Sequence, residues 1–183
     1  MSHLFPRYAD LETGHTLVIR EARPSDARAT IACLNQAGGE TDFLTFGANE
    51  FNVTIAREQD FIKWCREMPN SLMLLAEVEG QLTGLLTLEG NQRPRMRHVA
   101  DLGISLLQQY WGQGIGRQLL QTGLDWAGQT GILRKINLRV HEENRRAIHL
   151  YESFGFQREG LVSREYRLNG HFYANILMGL TID

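Results

Sequence analysis

The sequence predicts a single α/β domain of the mixed α+β kind, with a central mixed sheet of about seven strands flanked by about four helices. Three observations carry that expectation. The chain has 183 residues with 43% hydrophobic and 22% charged side chains, enough apolar material to bury one sizeable core. Its hydrophobic period switches repeatedly between two and 3.6, in the order β α α β β β α β α β β. No internal repeat, low-complexity run or linker-like stretch divides it.

The elements follow in order. Residues 1–15 carry no periodic pattern and read as an N-terminal tail, leaving 16–183 as the domain. "TLVIREA", Thr16 to Ala22, reads as the first strand. "RPSD" ends it, and Ser25 is placed to cap a helix running to about Gly38. "GGETDFLTFGANEFN" is then a long loop of small, acidic and aromatic residues, and a second helix is expected from Thr54 to Glu67. "SLMLLAEVEGQLTGLLTLEG" reads as two strands joined by a tight turn at Glu79 and Gly80. "HVADLGISL", His98 to Leu106, is the next strand.

From Ile115 the apolar positions Leu119, Leu120, Leu124 and Ala127 keep helical spacing to near Thr130. "KINLRV" alternates as a strand, and Asn144 can cap a short helix whose end is marked by Gly155. Two last strands, Gln157 to Ser163 and Phe172 to Leu180, meet at the turn "LNGH".

Composition excludes several classes of function. A net charge of -2 argues against broad nucleic-acid binding, and the basic run Arg93 to Arg97 reads as a solvated loop. No apolar run reaches the ~20 residues of a membrane span, and residues 1–16 lack the apolar centre of a signal peptide. A cytoplasmic location is therefore expected. Cys33 and Cys65 stand in no metal-ligand pattern, so neither a metal site nor a disulfide is expected.

The chemistry-bearing stretch is "QQYWGQGIGRQLL", Gln108 to Leu120. It lacks the GxxxxGK of a P-loop, and Arg117 stands where the third glycine of a dinucleotide fingerprint belongs. The physical logic of an anion site survives, because a helix start offers unpaired N–H groups and glycines let a phosphate approach the main chain. A tight strand-to-helix turn explains the glycines equally well. A second constellation sits on the short helix: Asn144 and Tyr151 are seven residues apart and project from nearly one face. Capping and core packing would account for them separately.

Taken together, "ISLLQQYWGQGIGRQLL" followed after a strand by "NRRAIHLYESFGF" resembles the GNAT superfamily of acetyl-coenzyme A-dependent N-acetyltransferases. The resemblance in element order covers residues 16 to 181. It implies that main-chain amides of Gly112, Gln113, Gly114, Ile115, Gly116 and Arg117 bind the coenzyme A diphosphate. It implies that Ile104, Ser105 and Leu106 hold the pantetheine and the acetyl carbonyl. By the same resemblance Asn144 binds the cofactor and Tyr151 protonates the departing thiolate. Similar segments occur in ribosomal-protein N-terminal, polyamine and antibiotic acetyltransferases, so the expected partner is a small-molecule or peptide amine, and a homodimer is the assembly such relatives often form.

Two departures stand out. Trp111 occupies the place of the family's Gln or Arg if the glycine pair is Gly114 and Gly116, a register preferred because it puts Leu119 and Leu120 at the helix's apolar pair. Arg139 stands where some relatives carry a glutamate base. The amine must be neutral to attack, and Glu40, Asp42, Glu89, Asp101 or a water relay are the candidate proton acceptors. The alternative to an enzyme is an acyl-coenzyme A-binding regulator without turnover.

Overall fold

The computed structural model describes residues 5–183; the first residues of the expected tail lie outside it. Eight strands form one sheet, in the spatial order β1 (Arg7–Asp10), β2 (Thr16–Glu21), β3 (Leu72–Val78), β4 (Gln81–Gly90), β5 (Val99–Leu106), β6 (Lys135–His141), β8 (His171–Thr181) and β7 (Gln157–Leu168), one strand more than expected. The extra strand is β1 (Arg7–Asp10), antiparallel to β2 (Thr16–Glu21) and drawn from the segment that reads as a tail. Its side chains alternate between half-buried and exposed, so a strand only four residues long leaves no strong apolar signal.

β3 (Leu72–Val78) and β4 (Gln81–Gly90) form the expected hairpin, with Glu79 at φ 51° and Gly80 at φ 74° in its two-residue turn. β5 (Val99–Leu106) pairs antiparallel with β4 and parallel with β6 (Lys135–His141). β8 (His171–Thr181) then pairs with β6 and with β7 (Gln157–Leu168). β7 runs past its expected end at Ser163. Its register shifts between Val162 and Tyr166, where Arg164 has φ 56°, and the irregularity interrupts the alternation that would reveal the strand.

Helices cover both faces. α3 (Ile115–Gln129) and α4 (Arg145–Ser153) lie on one face, where Leu119, Leu120, Ile136, Leu138 and Tyr151 belong to the larger core. α1 (Ala27–Glu40) and α2 (Ile55–Glu67) cover the other with Leu34, Ile62, Met73 and Leu85. α2 starts within one residue of the expected Thr54, which serves as its cap by accepting from Arg57 N at 3.3 Å.

Ser25 does not cap α1. A 3-10 turn occupies Pro24–Asp26, and α1 begins after Asp26, whose carboxylate accepts from Arg23 N and the Arg20 guanidinium. That ion pair fixes the turn to β2, so the cap position moves one residue along. α1 also continues to Glu40, because the following loop packs on it: a Cβ at Gly38 would lie 2.7 Å from Gly47 O. The close approach anchors the loop that carries Asp42 and Phe43.

One feature of the sheet sets up the site. β5 and β6 pair only at Val99↔Lys135, Ala100↔Ile136 and Asp101↔Asn137, and beyond that point they part. β5 then exposes main-chain polar groups along one edge, in the middle of the sheet.

Candidate active site

The open edge of β5 can be assigned by alternation. Leu107 N donates to Thr83 O on the β4 side at 2.9 Å. Backbone groups of successive strand residues face opposite sides, so Ser105 turns toward β4 while Ile104 and Leu106 turn toward the gap left by β6. Both residues are half-buried beside the larger core. An unpaired backbone amide in such a place calls for an acceptor.

The glycine loop continues directly from that edge. Gly112 and Gly114 both sit at φ 81°, in the left-handed region, which costs a residue with a Cβ roughly 1–2 kcal/mol. Gly114 is the residue before α3, and the first α-helical bond there runs from Gln118 N to Gly114 O. Among the described residues, no acceptor meets the amides of residues 112 to 117. A helix start concentrates roughly half a unit of positive charge on such amides. Gly116 differs from its neighbours: it is helical, and a Cβ there would meet nothing nearer than Leu150 Cδ2 at 3.7 Å. The protein itself does not need a glycine at 116, whereas an anion lying against the main chain would.

The structure brings the start of α3 beside α4. Arg117 donates to Ser153 Oγ at 3.2 Å and lies 5.2 Å from the Phe154 ring centroid. Asn144 caps α4, its Oδ1 accepting from Ala147 N at 3.1 Å, and its side-chain nitrogen makes no hydrogen bond among the described residues. Tyr151 is 6% exposed and packs on Phe156, with ring centroids 5.8 Å apart. Burial pushes its phenol above the usual range, so it holds its proton at all physiological pH values.

Trp111 now has a physical role. Its indole N–H donates to Leu106 O at 2.8 Å, and the Arg146 guanidinium lies 5.3 Å from its ring centroid. The residue therefore ties the end of β5 to the first turn of α4, and its ring closes one wall of a cavity. That cavity, of about 440 Å³, opens between the loop after α1, the β5 end and the end of β6, and is lined by Glu40, Asp42, Phe43, His141, Glu143 and Tyr173 among others.

The candidate bases separate into two places. Glu40 and Asp42 line the cavity, but Glu40 is already engaged, accepting from Gln108 N at 2.6 Å and from Gln36 Nε2 at 2.8 Å. Glu89 and Asp101 are cross-strand neighbours on β4 and β5, at the point where β6 departs. Burial, and then the neighbouring Asp101 charge, raise the Glu89 carboxyl above its ordinary value. Arg139 pairs with Glu165 on β7 and offers no base.

Sequence reasoning missed His141, Glu143 and Tyr173. His141 is 3% exposed and surrounded by Phe43, Tyr166 and Tyr173, with ring centroids 5.0–5.3 Å away. In sequence it lies just past the alternating run "KINLRV", and only the structure extends that strand to His141. The residues that give it meaning come from the loop after α1 and from the terminal hairpin, so no local spacing could have exposed it.

A mixed sheet with helices on both faces, strands that part at its centre and a helix start whose amides meet no acceptor among the described residues make up the candidate site. The family model of the acetyltransferase (GNAT) family matches residues 41–156. A solved acetyltransferase of that family from Streptococcus pneumoniae superimposes with a TM-score of 0.88 and 36% identity, over 91% of this chain and 99% of that one. The L-amino acid N-acetyltransferase of Escherichia coli is 30% identical over 106 residues, 58% of this chain and 65% of that protein. The spermidine N(1)-acetyltransferase of Vibrio cholerae is 37% identical over 73 residues, 40% of this chain and 42% of that protein. The alignments thus span less than two thirds of these curated relatives. The chain belongs to the acetyltransferase (GNAT) family.

Proposed function

We propose that the chain is an acetyl-coenzyme A-dependent N-acetyltransferase that acts on a primary amine by direct attack. The observation that carries this reading is the run of amides from Gly112 to Arg117 without acceptors, continuous with the open edge of β5. Those amides would hold the diphosphate, Ile104, Ser105 and Leu106 the pantetheine and acetyl carbonyl, and the Asn144 side-chain nitrogen a further cofactor group. Acetyl-coenzyme A supplies the activated acetyl group as a thioester.

The chain's own groups then have distinct tasks. Ile104 and Leu106 N–H, directed into the gap, stabilise the oxygen of the acetyl carbonyl as charge develops on it; such a donor contributes about 3 kcal/mol to a barrier. The neutral amine forms the new C–N bond as the C–S bond breaks. Its surplus proton leaves to a carboxylate or water on the cavity side, and the departing sulfur takes up a proton. Tyr151 faces a constraint here. Its buried phenol is a weaker acid than a thiol of pKa about 8.5, so complete transfer of its proton to sulfur is uphill. The role that suits it is an O–H donor that stabilises sulfur as the bond breaks, with the net proton supplied from the amine.

Thermal denaturation with acetyl-coenzyme A tests the binding half of this reading. A ligand at about 100 times its Kd adds about 2.7 kcal/mol to stability. Thiol release on addition of amines tests the catalytic half and separates an enzyme from a binding-only regulator, which would be stabilised without releasing thiol.

A further inference from the structure

We infer that the cavity bounded by Asp42, Glu143 and His141 is the acceptor site, and that it selects an α-amino amide over the corresponding free amino acid. The inference rests on the acetyltransferase reading and names its substrate class.

Position comes first. Asp101 pairs with Asn137 at the last rung between β5 and β6, and Ser105 and His141 each lie four residues further along their strands. His141 therefore stands across the gap from the segment that would hold the acetyl carbonyl. The cavity lies on the α1–α2 side of the sheet, opposite α3 and α4, so an acceptor and a cofactor could approach the gap from opposite faces.

Charge comes second. Glu40, Asp42 and Glu143 line the cavity and, among the described residues, no lysine or arginine does. Neither Asp42 nor Glu143 has a side-chain hydrogen bond or ion pair among the described residues. An ammonium group is attracted there, and the rings of Phe43 and Tyr173 add apolar contact and π-faces for a cation, while the Trp111 ring already carries the Arg146 guanidinium. A second carboxylate brought in by the ligand is repelled.

The third element is a solvent-reachable ring nitrogen on the otherwise buried His141. His141 Nδ1 accepts from Glu143 N at 3.2 Å, so it must present a lone pair there. The neutral ring then carries its proton on Nε2. That nitrogen has no partner among the described residues, and it is not among the atoms sealed from solvent. An N–H held by the walls of an acidic cavity matches a neutral oxygen acceptor: the carbonyl of an amide one bond away from the amine-bearing carbon. A diamine satisfies the carboxylates but leaves this donor empty; a free amino acid fills the donor but brings like charge.

The test compares thiol release for L-alaninamide, L-alanine and 1,4-diaminobutane at equal concentrations of neutral amine. The expected result is a kcat/KM for the amide at least about tenfold above both others. Asp42→Asn combined with Glu143→Gln is expected to shrink the ratio of amide to amino acid toward one. His141→Phe, which keeps a ring in the aromatic cluster, is expected to shrink the ratio of amide to diamine. Equal or better turnover of L-alanine or the diamine overturns the inference, as do ratios unmoved by these variants. Turnover of none of the three, while acetyl-coenzyme A still stabilises the chain, overturns it too and leaves cofactor binding standing. Absence of that stabilisation removes the underlying acetyltransferase reading instead.

Discussion

At the scale of single residues, the glycine loop separates what folding requires from what binding requires. Gly114→Ala forces a Cβ into the left-handed region and is expected to cost about 1–2 kcal/mol, read as a lower midpoint in chemical denaturation. Gly116→Ala meets no such strain and replaces glycine by the best helix former, so stability should hold or rise by up to about 1 kcal/mol. Its affinity for acetyl-coenzyme A should nevertheless fall, measured by calorimetric titration, because the methyl group intrudes on the anion's approach. Equal affinity in wild type and Gly116→Ala would mean that the diphosphate lies elsewhere. Tyr151→Phe keeps the buried ring and removes one O–H; under conditions where chemistry is rate-limiting, kcat should fall by about 10²-fold. An unchanged kcat across pH would remove Tyr151 from the mechanism. The glycines and Tyr151 stand out in the sequence as candidates because their spacing is local. His141 was not, since its partners Phe43, Tyr166 and Tyr173 are distant in sequence, and Trp111 gained a role only once its bond to Leu106 was visible.

At the scale of elements, two carboxylates on the α1–α2 face make opposite predictions for stability against pH. Burial works to raise the Asp26 carboxyl, but hydrogen bonds from Arg20 and Arg23 N outweigh it and hold the group below its ordinary value. A folded-state value below the unfolded one gives stability that is present above the unfolded pKa of about 3.9 and lost as pH falls through the folded value. Asp26→Asn should therefore destabilise the chain at pH 7 and make little difference once acid has protonated Asp26 itself. Glu58 is 3% exposed on α2, and burial raises its carboxyl. The sign reverses: ionisation in the folded state is disfavoured, so its penalty grows as pH rises above the unfolded value. Glu58→Gln is expected to raise the midpoint of thermal unfolding at pH 7, with the gain fading in acid. Elements with strong patterns were readable, including the β3–β4 hairpin and α3, where Leu119 and Leu120 are fully buried as their spacing implies. β1, the start of α1 and the end of β7 were not, because a short half-buried strand, an ion-paired turn and a register shift each break the local pattern.

At the scale of the whole molecule, the order of elements was largely readable, and with it the expectation of a mixed sheet wrapped by helices. What the order did not convey was that β5 and β6 pair over three rungs and then part. That parting is a property of two strands meeting after a helical crossover, and neither strand's sequence carries it alone. It creates both approaches to one gap: the acceptor-free amides on the side of α3 and the acidic, aromatic cavity on the other. In the proposed reaction these two approaches meet at the acetyl group that is transferred. Parallel quantification of free thiol and acetylated amine, with acetyl-coenzyme A and L-alaninamide as substrates, tests it most directly. The two products are expected to accumulate in equal amounts, at a rate that depends on active chain. Thermal stabilisation by acetyl-coenzyme A with no acetylated amine from this or any other amine, or thiol release without acetylated product, would contradict it.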